Sequence, residues 1–241
     1  MLSRIYNLSA RGMRPLIDVW GRQFQLAAIA ACCVVAPLAN AQDIGKLYAA
    51  RPPEGYAFVR VAVANISEGA VDVQIALAAA HIDQTAVASR YRAVKAGRPV
   101  HVSIAGSVVD DRIIPLADQF STVVLERQAT GWRSYVIEEG HSNLNDLKAQ
   151  LRFFNLATEC QASLRIANGP VIFDAIASRN VRSRAINPVQ AQLEALCDGQ
   201  SVSLALPQLR AGDHFSIFLR GRAGQLNLSG QHDETEPFKD R

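Results

Sequence analysis

The chain lacks net charge once its first segment is set aside. It holds 25 basic and 22 acidic residues, but residues 1–41 carry four arginines and one aspartate, leaving 21 of each beyond them. The sequence pI near 8.8 therefore belongs mostly to that segment. A neutral remainder of 200 residues argues against nucleic-acid binding, where a concentrated positive face is expected. No apolar run reaches the roughly 20 residues that span a bilayer as a helix, so no membrane span is expected in the mature chain. Serine acyl transfer needs a nucleophile, a base and an orienting acid. Yet there is no Gly-Asp-Ser block and no Gly-x-Ser-x-Gly elbow, and none of His81, His101, His141, His214 and His232 follows an Asp-x-x-His pattern. No catalytic, cofactor or metal set is expected. Cysteine is scarce too: beyond residue 41 only Cys160 and Cys197 occur, without an adjacent histidine to complete a tetrahedral metal site.

What is present begins with an export signal. Arg4, Arg11, Arg14 and Arg22 precede the apolar core Leu26–Val35, Pro37 breaks it, and Ala39-Asn40-Ala41 supplies small residues for cleavage between Ala41 and Gln42. Residues 1–41 read as a signal peptide and the mature chain as periplasmic. Ile29-Ala30-Ala31-Cys32 also fits a lipobox, which would lipidate Cys32 instead. In an oxidising compartment the pair Cys160 and Cys197 reads as a disulfide, two separate core thiols being the alternative.

The mature chain says something twice. Val59-Arg60-Val61 leading to Asn65, Ser89-Arg90 followed by Pro99-Val100, and Asp118-Gln119-Phe120-Ser121 recur in the same order as Leu151-Arg152-Phe153 leading to Asn155, Ser178-Arg179 followed by Pro188-Val189, and Asp213-His214-Phe215-Ser216. A period near ninety residues fits a duplicated domain rather than a solenoid repeat. The local patterns are strands: Val71–Leu77 and Val100–Ile104 alternate, and Asn168-Gly169-Pro170 and Asp198-Gly199 supply turn chemistry. Short strands broken about every ten residues predict an all-β chain of two tandem antiparallel β-sandwich domains, residues 42–140 and 141–230. Asn143–Gln150 alone has helical character, as linker or the start of the second copy. The polar residues 231–241 predict a disordered tail.

Leu47-Tyr48, the Pro53-Glu54-Gly55 turn, Ala57–Val61 and Asn65, with Leu151-Arg152, Asn155-Leu156 and Ile186-Asn187-Pro188-Val189 in the second half, resemble AlgF, the periplasmic accessory family of bacterial alginate O-acetylation. The resemblance covers most of the mature chain through short structural motifs. It implies two β-sandwiches, no established active site, and partners among membrane-bound and periplasmic O-acetylation proteins. Cys160, Cys197, the longer leader and the acidic tail depart from the family. Related accessory proteins act on acetylated cellulose, so the process is better marked than the polymer.

The residues themselves offer a basic loop in each copy: Arg90, Arg92, Lys95 and Arg98, then Arg179, Arg182 and Arg184. Guanidinium forks pair bidentately with carboxylates, which suits an acidic exopolysaccharide or an acidic partner patch; solvated surface is the plain alternative. Tyr91 within the first cluster, and Trp132 and Tyr135 near a hairpin tip, offer stacking faces or simple packing. His214 stands where the first copy has Gln119, so a chemical role is disfavoured, and His101 reads as an exposed strand residue. Three functions follow: a non-catalytic O-acetylation adaptor, a carbohydrate-binding module holding alginate or cellulose, or an acetyl-carrying transferase.

Overall fold

Alternation along β1 (Tyr56–Val63) sets the architecture. Ala57, Val59, Val61 and Val63 face one core, while Phe58, Arg60 and Ala62 face the opposite way, and nearly the whole strand is buried. A strand covered on both faces belongs to an inner sheet. The computed structural model describes residues 51–65, 69–140, 147–222 and 224–238, and these lie in one compact unit. Residues 1–41, expected to be a signal peptide and including Cys32, lie outside the described residues, as do Leu47-Tyr48, His141 and residues 143–146.

The first sandwich pairs two four-stranded sheets. β1 lies with β4 (Arg92–Lys95), β7 (Phe120–Gln128) and β8 (Gly131–Gly140) in the order β4-β1-β7-β8. The facing sheet is β3-β2-β5-β6, from β2 (Val71–Ile75), β3 (Ala78–Ile82), β5 (Val100–Ile104) and β6 (Ser107–Ile113). Between them Val59, Val61, Val73, Val102, Val123 and Leu125 are fully or almost fully buried.

The second sandwich repeats this strand for strand. β9 (Ala149–Asn155), β12 (Asn180–Ile186), β15 (His214–Arg222) and β16 (Gln225–His232) form the sheet β12-β9-β15-β16. β10 (Ala162–Ile166), β11 (Val171–Ile176), β13 (Ala191–Cys197) and β14 (Gln200–Leu206) form β11-β10-β13-β14. All strand pairs are antiparallel except β1–β7 and β9–β15, which are parallel in both copies. The chain is thus all-β, with two tandem sandwiches of one topology. Asp198 and Gly199 both take positive φ in the tight β13–β14 turn, as their residue types demand.

The repeat is real, but the motif that announces it is out of register. Phe120 of Asp-Gln-Phe-Ser faces away from its sandwich core, against Phe58 and Tyr91, whereas Phe215 of Asp-His-Phe-Ser points into the second core. Shifting a strand by one residue exchanges its faces. Pairing gives the true equivalence: Val59 opposes Arg92 as Leu151 opposes Arg184. Arg60 lies beside Thr122 as Arg152 lies beside Ser216.

The two inner sheets pack on each other. Ala62, Val124 and Ile137 from one side and Phe154, Leu156 and Phe218 from the other form a shared apolar layer, with the Phe154 and Phe218 rings stacked at 4.9 Å. Of Asn143–Gln150, Ala149 and Gln150 open β9, so the start of the second copy is the reading the described residues bear out, both faces of that strand being buried. Two expectations need correction. The basic loops are largely strand, β4 and β12. The tail expected to be disordered is placed as far as Phe238: β16 runs to His232, Thr235 bridges Tyr91, and Phe238 meets Tyr56 edge-on at 4.9 Å.

Candidate functional site

Three places hold the polar chemistry. The first is a buried charge cluster between the inner sheets. Arg60 is fully buried and donates from Nε to Thr122 Oγ1 at 2.8 Å, from Nη1 to Asp233 Oδ1 at 2.6 Å and from Nη2 to Ser216 Oγ at 2.9 Å. Arg152 donates from Nη1 to Asp233 Oδ2 at 2.8 Å, and its Nε lies 3.4 Å from Glu139 Oε2. Glu139 accepts from the Thr122 and Tyr91 hydroxyls, both at 2.5 Å. A β-bulge, in which Phe120 opposes Gly140 but Ser121 opposes Glu138, leaves Glu139 unpaired on β8 and aims it inward.

Two guanidiniums meet two carboxylates, so the cluster is balanced. The Arg60 guanidinium also lies 4.3 Å over the Tyr91 ring. Burial alone would raise the Asp233 carboxyl, but Arg60 and Arg152 outweigh it and hold the group below the usual carboxylate range. Burial pushes the Tyr91 phenol well up, partly opposed by Arg60. Every member is engaged by another protein group, so the cluster ties the two inner sheets together. Its sequence signal was an arginine at matching places in two apolar strands, Arg60 and Arg152.

The second place is the first basic cluster. Arg90 pairs with Glu234 at 2.7 Å and Arg92 with Glu236. Tyr91 N donates to Glu234 O and Glu236 N to Tyr91 O, both at 2.8 Å, so residues 234–236 lie beside the β4 edge as a short parallel strand. Tyr91 is 1% exposed and offers no sugar-stacking face. Among the described residues Lys95 and Arg98 make no ion pair.

The third place is the open edge of the second sandwich. β11 and β12 are both outermost in their sheets. Between them lies a groove of about 390 Å³, lined mainly by apolar residues such as Ile166, Val171, Ile186, Val189 and Leu206, with Lys148 and Arg184 its charged members. Arg184 Nη1 donates to Ile172 O at 3.2 Å across it. Arg182 lies exposed on the same strand and makes no ion pair among the described residues. Arg179 instead sits at the junction, 2.9 Å from Glu126 and 4.8 Å over the Tyr135 ring, while Trp132 packs on the first core. The structure therefore separates the seven basic residues: Arg90, Arg92 and Arg179 are engaged by acids, Lys95, Arg98 and Arg182 make no ion pair among the described residues, and Arg184 lines the groove.

Cys160 and Cys197 form a disulfide, Cα atoms 5.8 Å apart, inside the second core. Asp198 lies near both sulfurs, but as a disulfide they are not metal ligands. His101 is exposed on β5, and His214 Nδ1 lies 3.4 Å from Arg152 Nη1 at the rim of the junction.

No family model matches the chain, and no curated protein matches it. Among solved structures, the C-terminal domain of AlgF from P. aeruginosa is similar at 26% identity, over 36% of this chain and 98% of that one, with a TM-score of 0.31. A cell adhesion protein candidate from Bacteroides ovatus is similar at 8% identity, over 78% of this chain and all of that one, with a TM-score of 0.24. TM-scores this low leave both fold and function to be argued from the chain itself. Among the described residues no helix is long and apolar enough to cross a membrane.

Proposed function

We propose that the chain is exported, cut between Ala41 and Gln42, and serves in the periplasm as a non-catalytic adaptor in O-acetylation of an exported polysaccharide, alginate being the polymer its sequence resemblance favours. The observation that carries the adaptor reading is the open β11–β12 edge. An unpaired sheet edge is a template for another chain, and proteins ordinarily cover or blunt it. Here it flanks an apolar groove with a cationic rim. The residues that support the family link occupy structural positions: Pro53–Gly55 turns into β1, and Ile186–Val189 connects β12 to β13.

The test is a gene deletion. The mutant should export polymer that has lost its O-acetyl groups, the wild-type gene should restore them, and the purified protein should release no product from a chromogenic acetyl ester. Ester turnover would favour the transferase reading instead. A second reading, direct binding of an acidic polysaccharide, is favoured by Lys95 and Arg98, which lack acidic partners among the described residues.

A further inference from the structure

The molecule contains a worked example of what its open edge lacks. On the first sandwich, Glu234-Thr235-Glu236 lies beside Tyr91, with Glu234 on Arg90 and Glu236 on Arg92. Register places Arg184 where Arg92 stands, so Ser183 corresponds to Tyr91, and Arg182 precedes Ser183 in the chain as Arg90 precedes Tyr91, although in the first copy it is Ser89 that bonds Val61. Gln150 N–H bonds towards β15, so by alternation Leu151 and Phe153 bond towards β12 and receive Arg184 and Arg182. The N–H and C=O of Ser183 then point away from the sheet, as those of Tyr91 do. One basic edge is covered by an acidic extended segment; among the described residues its counterpart carries none.

We propose that the β12 edge takes an extended acidic peptide segment of a partner protein, added as a parallel strand beside Ser183 with alternate carboxylates on Arg182 and Arg184. The residue between those carboxylates faces away from the arginines, as Thr235 does between Glu234 and Glu236. Main-chain bonds to Ser183 supply register, the arginines select charge, and the groove receives a flanking apolar side chain. Two like-charged groups on one strand edge disfavour a basic or neutral occupant. This deepens the adaptor reading and rests on it for the partner's identity, but the interaction is measurable without any polysaccharide.

The probe is a labelled hexapeptide of the chain's own residues 233–238, Asp-Glu-Thr-Glu-Pro-Phe, added to the full mature protein at low salt. Amide shifts should change along β12 and fluorescence anisotropy should rise. The double variant Arg182→Glu, Arg184→Glu should weaken binding about tenfold or more, because two charge pairs are lost. Ser183→Pro should weaken it comparably by removing the outward N–H, a change an edge strand tolerates. Unchanged urea midpoints for both variants confirm that the fold persists. A peptide with glutamine for both glutamates should bind at least tenfold more weakly. Equal binding by that peptide, or by both variants, overturns the proposal, as do shifts confined to β4. An oligouronate that binds through the arginines while the acidic peptide does not would also overturn it, in favour of polysaccharide. Loss of peptide binding with normal in-cell acetylation would sink this inference alone; absent acetylation dependence with intact peptide binding would sink the adaptor reading alone.

Discussion

Replacing Arg60 with methionine removes one of two cations from a buried cluster of two cations and two carboxylates. The ring contacts to Tyr91, Phe154 and Phe218 accept a methionine, so most of the loss is electrostatic. Glu139 and Asp233 are then left to share Arg152, with the Thr122 and Ser216 hydroxyls short of a donor. Removing one partner of a buried ion pair costs about 3–5 kcal/mol, because the orphaned charge stays out of water. The deficit should depend on pH. In the wild type, Asp233 is held below its unfolded value, so its contribution is present above about pH 4 and is lost as pH falls through the folded value. Without Arg60, only Arg152 and Ser216 oppose burial, so the carboxyl should rise and the variant should lose less stability than the wild type as pH falls. Asp233→Asn in the Arg60→Met background restores charge balance, and the double variant should be about 1–3 kcal/mol better than the sum of the singles. Urea unfolding between pH 5 and 7.5, with m-values checked for two-state behaviour, measures each quantity. A loss under about 1 kcal/mol that is additive and flat in pH would refute the reasoning.

Other perturbations follow from the same geometry. Gly230→Ala places a Cβ 2.5 Å from the Phe215 ring and should cost about 1–3 kcal/mol by overpacking, seen as a lower urea midpoint. Cys160→Ala with Cys197→Ala opens a loop of sequence separation 37 and should cost about 4 kcal/mol on the chain-entropy model, with dithiothreitol reproducing the loss in the wild type. Truncation after His232 removes Asp233 and the strand over β4, so hydrogen exchange should rise at Tyr91 and along β1 well before global unfolding. Acidification of the wild type below about pH 4 should loosen the junction between the inner sheets first, reported by exchange at Arg60 and Arg152.

The parts of the fold legible in sequence are those governed by period and turn chemistry. Val71–Ile75 alternates buried and exposed as its residues do, and Asp198-Gly199 can hardly be anything but a turn. The duplication was legible, but its register was not, since Asp-x-Phe-Ser matches by letters while the strand faces differ by one residue. β4 and β12 escaped detection because an edge strand need not alternate and their arginines read as loop. The tail's order depends on Arg60, Arg152, Arg90 and Arg92, all far away in sequence, so a local reading of its polar composition predicts disorder. The same blindness hid the junction: nothing near Arg60 announces that Asp233 will meet it.

Reversing charge at Arg182 and Arg184 differs in kind from reversing Arg90 and Arg92, which hold the tail, or Arg179, which holds Glu126. The most direct measurement is therefore the O-acetyl content of exported polymer in a deletion strain carrying either the wild-type protein or the Arg182→Glu, Arg184→Glu variant at equal periplasmic levels. Full acetylation with the wild type and a severe loss with the folded variant is the predicted result. Polymer acetylated to the same extent in the deletion strain itself would contradict an adaptor role altogether.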